Sequence, residues 1–218
     1  EAVVDVHSDY INSGADAIGT NTFVGSSLHL KMAGKNEDDS CYLARLAVKH
    51  AKTAVERSEK EIYIGGSIGP SPGAIEADSG DTTFGIPNKK VRDTHEKMAS
   101  ALAESEIDFF CIETMFSAKE AAIAVDVARK FGLPIAVNLT YKFTQDQSTG
   151  KRIYKTDWGY SAADLLRILS NGEFSGGDNL LNHVSLLGLN CGAESRRQEH
   201  TGMPYAVNGT KELKKALE

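Results

Sequence analysis

Five short apolar runs, each finishing in small or polar residues, alternate with helical patterns along the chain. This alternation constrains the fold more than any other feature. The runs are ADAIGTNTF (15–23), IYIGGSIGP (62–70), DFFCIETM (108–115), LPIAVNLTY (133–141) and VSLLGLNC (184–191). Helical spacing of apolar residues fills the intervals: 2–13, with Val3, Val6 and Tyr10 on one face and Gly14 as a stop; 38–57, with Leu43, Leu46, Ala47 and Ala51 inward; 90–105; 117–132; and 162–169. Ser117 is a natural N-cap and Gly132 a natural C-terminal stop. Residues 142–160 break the alternation with polar and aromatic residues and are expected to form an excursion or hairpin.

Strands alternating with helices predict an α/β protein with a parallel sheet, because parallel strands need helical crossovers. An open doubly wound sheet and a (β/α)8 barrel both satisfy that pattern. No G-x-G-x-x-G opens a helix and no G-x-x-x-x-G-K-[ST] occurs, so a nucleotide-binding sheet lacks its main signature. Every run instead carries polar or small residues at its C-terminal end: Thr20-Asn21-Thr22, Ser67 to Pro70, Glu113-Thr114, Asn138 to Thr140 and Asn190-Cys191. A barrel gathers its chemistry at that end of its strands. The expectation is one domain over 1–218, an incomplete TIM barrel.

Composition narrows the partners. With 218 residues, 41% hydrophobic and 25% charged, the chain has the make-up of a globular domain. A net charge of −6 without a basic stripe argues against nucleic acid. No run approaches the roughly 18 apolar residues that span a bilayer, and no secretory leader opens the sequence. Three scattered cysteines make no disulfide framework, which points to a reducing cytoplasm.

Strand periodicity sets the candidate site. If Glu113 points inward, Cys111 and Phe109 lie beneath it, and the carboxylate sits at the rim of an apolar cavity where it needs a partner. A surface ion pair with lysine or arginine is the plainer alternative. If Cys191 points inward, so do Leu189 and Leu187. Cys41 near a helix start and Cys111 within Phe109, Phe110 and Ile112 read as packing residues. Cys191 ends its strand beside Gly192, which leaves room for a ligand to approach, so packing and chemistry both stay open. His7, His29, His50, His95, His183 and His200 form no metal-binding spacing, and His7, His50 and His95 are expected at solvent or a helix seam.

The ordered motifs HSDYINSGADAIGTNTF, GGSIGP, IETM followed by KEAAIAV, and GLNCG resemble the homocysteine S-methyltransferase family over about residues 3–192. The resemblance implies a (β/α)8 barrel, of which this chain carries about the second to sixth strands. It also implies a zinc ion held by three cysteine thiolates, with Cys191 as the first; no adjacent Cys-Cys pair supplies the others. Glu113, with Thr114, matches the acidic residue holding the substrate ammonium. Thr20, Asn21 and Thr22 match one pocket loop, and Ser67, Gly69 and Pro70 another; Asn138 stands at the end of the fifth strand in family order.

The implied chemistry is coherent. A thiol of pKa about 8.5 is mostly protonated at neutral pH, and bound zinc would make it a thiolate able to attack an activated methyl group. The implied function is methyl transfer to homocysteine in a methionine-synthase-like enzyme, with a corrinoid (cobalamin) protein or domain as a partner. A binding piece docking to such a partner is the first alternative. An unrelated barrel lyase or aldolase using Glu113 as base is the second. Exposed sheet edges in a partial barrel also suggest self-association.

Overall fold

A computed structural model describes residues 1–145, 148–150, 152–192 and 201–218. In chain order the elements are α1 (Ala2–Asn12), β1 (Ala17–Gly19), α2 (Ser27–Met32), α3 (Ser40–Ser58), β2 (Tyr63–Ile68), α4 (Glu76–Ser79), α5 (Asn88–Glu104), β3 (Phe109–Met115), α6 (Ala118–Ala128), β4 (Ile135–Leu139), β5 (Lys142–Gln145), β6 (Arg152–Lys155), α7 (Ala162–Ser170), β7 (Leu186–Leu189) and α8 (Gly202–Leu217). β5 and β6 pair antiparallel as a separate hairpin.

The remaining strands form one parallel sheet in the order β1-β2-β3-β4-β7. Strand order follows chain order without reversal, so there is no switch point of the doubly wound kind. The helices instead line one side of the sheet, each packing on the next: α1 on α3, α3 on α5, α5 on α6, α6 on α7 and α7 on α8. This is the arrangement of a partial (β/α)8 barrel.

The two faces of the sheet differ sharply. Ile64, Ile68, Phe110, Ile112, Ile135, Val137 and Leu139 face the helices and are buried. Their alternates Phe109, Cys111, Glu113, Ala136 and Asn138 face the barrel interior and are half-buried. Two glycines permit close packing on that inner face. A Cβ on Gly65 would strike the Phe109 ring, and one on Gly188 would strike Asn138 Oδ1.

Several expectations change here. The Val6 and Tyr10 face of α1 is exposed, at 54% and 64%, and the buried stripe is Val4, His7 and Ile11. In α3, Leu43 is exposed while Ala44, Ala47, Val48 and Ala51 are buried. Small residues face the neighbouring helices because close helix packing leaves no room for leucine there. Leu187 and Leu189 pair with the buried Val137 and Leu139 and lie on the helix side, so they do not fill the interior beneath Cys191. Strand alternation ends before Cys191, whose φ of +52° is left-handed.

α8 follows β7 where the sequence reading stopped. Leu189 packs against Gly209, and the Tyr205 hydroxyl accepts the backbone N–H of Tyr141 at 3.1 Å. The Tyr205 ring occupies the space that a Cβ on Gly192 would need, and Gly192 has a φ of +81°. Gly192 therefore serves the turn and this packing rather than ligand access.

Candidate functional site

Polar residues from four strand ends meet in one hydrogen-bond network. After β1, the hydroxyls of Thr20 and Thr22 lie 2.7 Å apart. Thr22 donates to the carbonyl of Ser67 at 2.6 Å, and the Ser67 N–H donates to Thr20 Oγ1 at 3.0 Å. Ser67, near the end of β2, donates its hydroxyl to Glu113 Oε1 at 2.6 Å. Asn190, just past β7, donates from Nδ2 to Glu113 Oε2 at 3.0 Å and to Thr114 Oγ1 at 2.8 Å. The Thr114 N–H returns a bond to Asn190 Oδ1 at 2.9 Å. Thr114 Oγ1 stands 3.6 Å from Cys191 Sγ.

The backbone is bent to make this possible. β3 shifts register between Ile112 and Met115, and Thr114 has a φ of +56°. Thr114 and Cys191 are both non-glycine residues in the left-handed region, a conformation costing of order 1–3 kcal/mol that persists where surrounding contacts over-determine it. Those contacts are visible: Asn190 grips both ends of Thr114, and the Gly192 N–H donates to Thr140 Oγ1 at 3.0 Å.

Glu113 is bound by two neutral donors, and among the described residues no cationic side chain pairs with it. The described residues thus give Glu113 hydrogen-bond donors and no surface ion pair. Beneath it, Cys111 accepts from Asn138 Nδ2 at 3.8 Å. Burial, and then the charge of Glu113, push the Cys111 thiol up to about 11. Beside the network opens a cavity of about 640 Å³, lined by Phe23, His29, Pro70, Thr114, Phe116, Trp158 and Cys191 among others.

The loop after β2 has its own anchor. Glu120, in the first turn of α6, accepts the Ser71 N–H at 2.7 Å and bonds His95 Nε2 at 3.0 Å. Both side chains are buried, at 3% and 2% exposure. Of the two places expected, solvent or a helix seam, His95 lies in the seam between α5 and α6, and His7 is buried on the inward stripe of α1. His200 lies outside the described residues.

Thr20, Thr22, Ser67, Glu113 and Thr114 are brought together with Cys191. Asn138 lies on the same inner face but bonds Cys111 instead of the network. Asn21 is exposed and lines a different cavity, of about 620 Å³, beside β1 and the apolar face of α1. Asn190, noted in the sequence only as a polar strand end and given no role there, is central to the network. Its position beside Cys191 at a strand end was the available signal.

An implied zinc ion can be tested against these donors. Among the described residues no group of three His, Cys, Asp or Glu side chains converges. Cys191 is the one thiol at this rim, and its neighbour is a threonine hydroxyl. A zinc centre needs three protein ligands at least, so the described residues do not fit one by themselves. Among them, no helix is long and apolar enough to cross a membrane.

Comparison with known proteins adds the following. The family model described as Homocysteine S-methyltransferase matches residues 1–202. Homocysteine S-methyltransferase 1 of Zea mays is 27% identical over 204 residues, which is 87% of this chain and 58% of that protein. Selenocysteine methyltransferase of Astragalus bisulcatus is 28% identical over 145 residues, 56% of this chain and 43% of that protein. The crystal structure of the Escherichia coli homocysteine methyltransferase MmuM in its metallated form is similar in fold, with a TM-score of 0.61 and 20% identity over 86% of this chain. The chain spans 62% of the length of that structure, and less of the two sequence relatives.

Proposed function

The chain belongs to the homocysteine S-methyltransferase family, and from that premise we propose that the Glu113 network binds the methyl acceptor, an amino acid carrying a thiol or selenol. One observation carries this proposal. A carboxylate at a strand end is held by Ser67 and Asn190, has no cationic partner among the described residues, and lies next to a cavity that also holds Cys191. An ionised carboxylate has more acceptor sites than these two donors use, so it can take the acceptor's ammonium through charge-assisted hydrogen bonds.

Thr20, Thr22 and Ser67 orient Glu113 rather than touch the reacting atoms. Asn190 fixes both Glu113 and Thr114. With the ammonium anchored, the acceptor sulfur extends toward the Cys191 and Thr114 side of the cavity. In the transfer, the S–H bond breaks with its proton passing to solvent water, the sulfur pair forms a bond to the methyl carbon, and the bond from methyl to donor breaks with its electrons leaving on the donor. Positioning the sulfur lowers the entropic part of that barrier.

Cys191 could supply one thiolate to a zinc ion, but the described residues do not make up the rest of such a site, and no step is assigned to a metal. The site addresses the acceptor half of the reaction. A methyl group delivered by a corrinoid partner and one delivered by a small onium compound are equivalent at this point, as in a methionine-synthase-like context or outside it.

The test is calorimetric titration with L-homocysteine and with 4-mercaptobutanoate, which lacks the amino group. The wild type should prefer homocysteine, and Glu113→Gln should bind it about 10- to 100-fold more weakly, the worth of a charged hydrogen bond of roughly 1.5–3 kcal/mol. Binding of 4-mercaptobutanoate should change little. Equal homocysteine affinity in the two proteins would overturn the proposal.

A further inference from the structure

The β5–β6 hairpin and α8 lie outside the Glu113 network, yet one side chain joins both to it. Tyr205, near the start of α8, is 6% exposed. Its ring stands edge-on to Tyr154 of β6, with 5.8 Å between centroids, and Tyr154 stands edge-on to Phe143 of β5 at 6.2 Å. The Tyr205 hydroxyl accepts the Tyr141 N–H at 3.1 Å and donates to the Asn190 carbonyl at 3.5 Å. A phenol has the proton and the lone pairs to do both. The Asn190 N–H meanwhile donates to the Leu139 carbonyl at 3.3 Å. Both main-chain groups of Asn190 are therefore held, and its side chain is left to bond Glu113 and Thr114. The same ring fills the space beside Gly192, and α8 is seated on β7 by the fit of Gly209 against Leu189.

We propose that Tyr205 is a positioning residue for the acceptor site, acting through the main chain of Asn190 on the amide that orients Glu113. The inference rests on the reading of Glu113 as the anchor of the acceptor's ammonium. Tyr205 touches no reacting atom, and its contribution is geometric. β7 ends at Leu189, so the turn that follows needs holds from outside the strand. Leu139 takes the Asn190 N–H and Thr140 takes the Gly192 N–H, but neither reaches the Asn190 carbonyl. Tyr205 supplies that hold from α8. The 3.0 Å bond from Asn190 Nδ2 to Glu113 depends on it, because hydrogen bonds weaken steeply as distance and angle drift. Burial raises the Tyr205 pKa, so the hydroxyl keeps its donor proton throughout the neutral range.

The test is calorimetric titration of the whole chain with L-homocysteine, in the wild type, Tyr205→Phe, Glu113→Gln and the double variant. Tyr205→Phe keeps the ring and removes only the hydroxyl. It should bind homocysteine about 3- to 10-fold more weakly, the range of one neutral hydrogen bond. In the Glu113→Gln background the same substitution should change affinity less than about twofold, because the group through which it acts is gone. A purely structural tyrosine would lower the urea midpoint and leave the affinity of the folded protein unchanged, which would overturn the proposal. Equal fold losses in the two backgrounds would overturn it too. A second measurement needs no variant. Coupling between a ligand and a contact is reciprocal, so saturating homocysteine should slow hydrogen exchange of the Tyr141 amide by about 3- to 10-fold relative to amides of α3. Equal slowing at both places would count against Tyr205. If Glu113→Gln binds homocysteine like the wild type, the anchor reading fails and Tyr205 falls with it. If Glu113→Gln loses affinity and Tyr205→Phe does not, the Tyr205 assignment alone is wrong.

Discussion

Asn190 uses both ends of its amide, donating to Glu113 and Thr114 while accepting the Thr114 N–H. An asparagine can do this and an aspartate cannot, since two carboxylates facing each other would repel. Residue chemistry also sets the pH behaviour of the inner face. The Cys111 thiol is pushed from 9.0 up to about 11 by burial and by Glu113. As pH rises past 9, the unfolded chain gives up this proton before the native chain does. The unfolded state then binds fewer protons, and stability falls until the native thiol also ionises near 11. Comparing urea unfolding of the wild type and Cys111→Ala across that interval isolates the effect. The wild type should lose roughly 2–3 kcal/mol more than the variant. Parallel pH profiles would contradict it.

At the scale of elements, α6 shows how a local motif is redirected by its surroundings. Ser117-Ala-Lys-Glu120 has the spacing of a capping box, and Ser117 does accept the Glu120 N–H at 3.1 Å. The Glu120 carboxylate, however, reaches the Ser71 N–H and His95 instead of its own N-cap. It thereby ties the loop after β2 to the α5–α6 seam and holds one wall of the cavity. Glu120→Ala strips partners from two buried groups at about 1–3 kcal/mol each. Denaturant unfolding should show a loss of roughly 2–5 kcal/mol, and Glu120→Gln should recover part of it. A loss under about 0.5 kcal/mol would show the anchor to be dispensable. α7 keeps the conventional form, with Ser161 and Asp164 closing a full capping box.

At the scale of the whole molecule, the sheet has one closed face and one open face. The helix side carries the apolar core, and the inner side is half-buried, with Leu186 at 54% exposure. Truncation should therefore be asymmetric. Leu139→Ala, on the helix side, should cost about 2–5 kcal/mol, as buried leucines do. Leu186→Ala, on the inner side, should cost less than about 1 kcal/mol by the same urea measurement. Equal costs would mean that the inner face is covered in solution.

The order of strands and helices was legible in the sequence because each element carries its own periodicity and its own stops, such as Ser117 and Gly132. The gathering of chemistry at strand ends was legible too, since Thr20, Ser67, Glu113 and Cys191 all close apolar runs. Faces were less so. In α1 and α3 the sequence offers apolar residues on more than one side, and only packing against neighbouring helices selects Val4 over Val6 and Ala44 over Leu43. Cys191 reaches the site because a left-handed turn, set by Gly192, Thr140 and Tyr205, breaks the alternation that would otherwise have placed it. Asn190 and Glu120 acquire their roles from partners 25 to 77 positions away. Local sequence determines what each segment can become, because backbone preference and periodicity act over a few residues. Which side chains share a hydrogen bond is decided by the tertiary structure, because it alone brings distant strand ends within 3 Å.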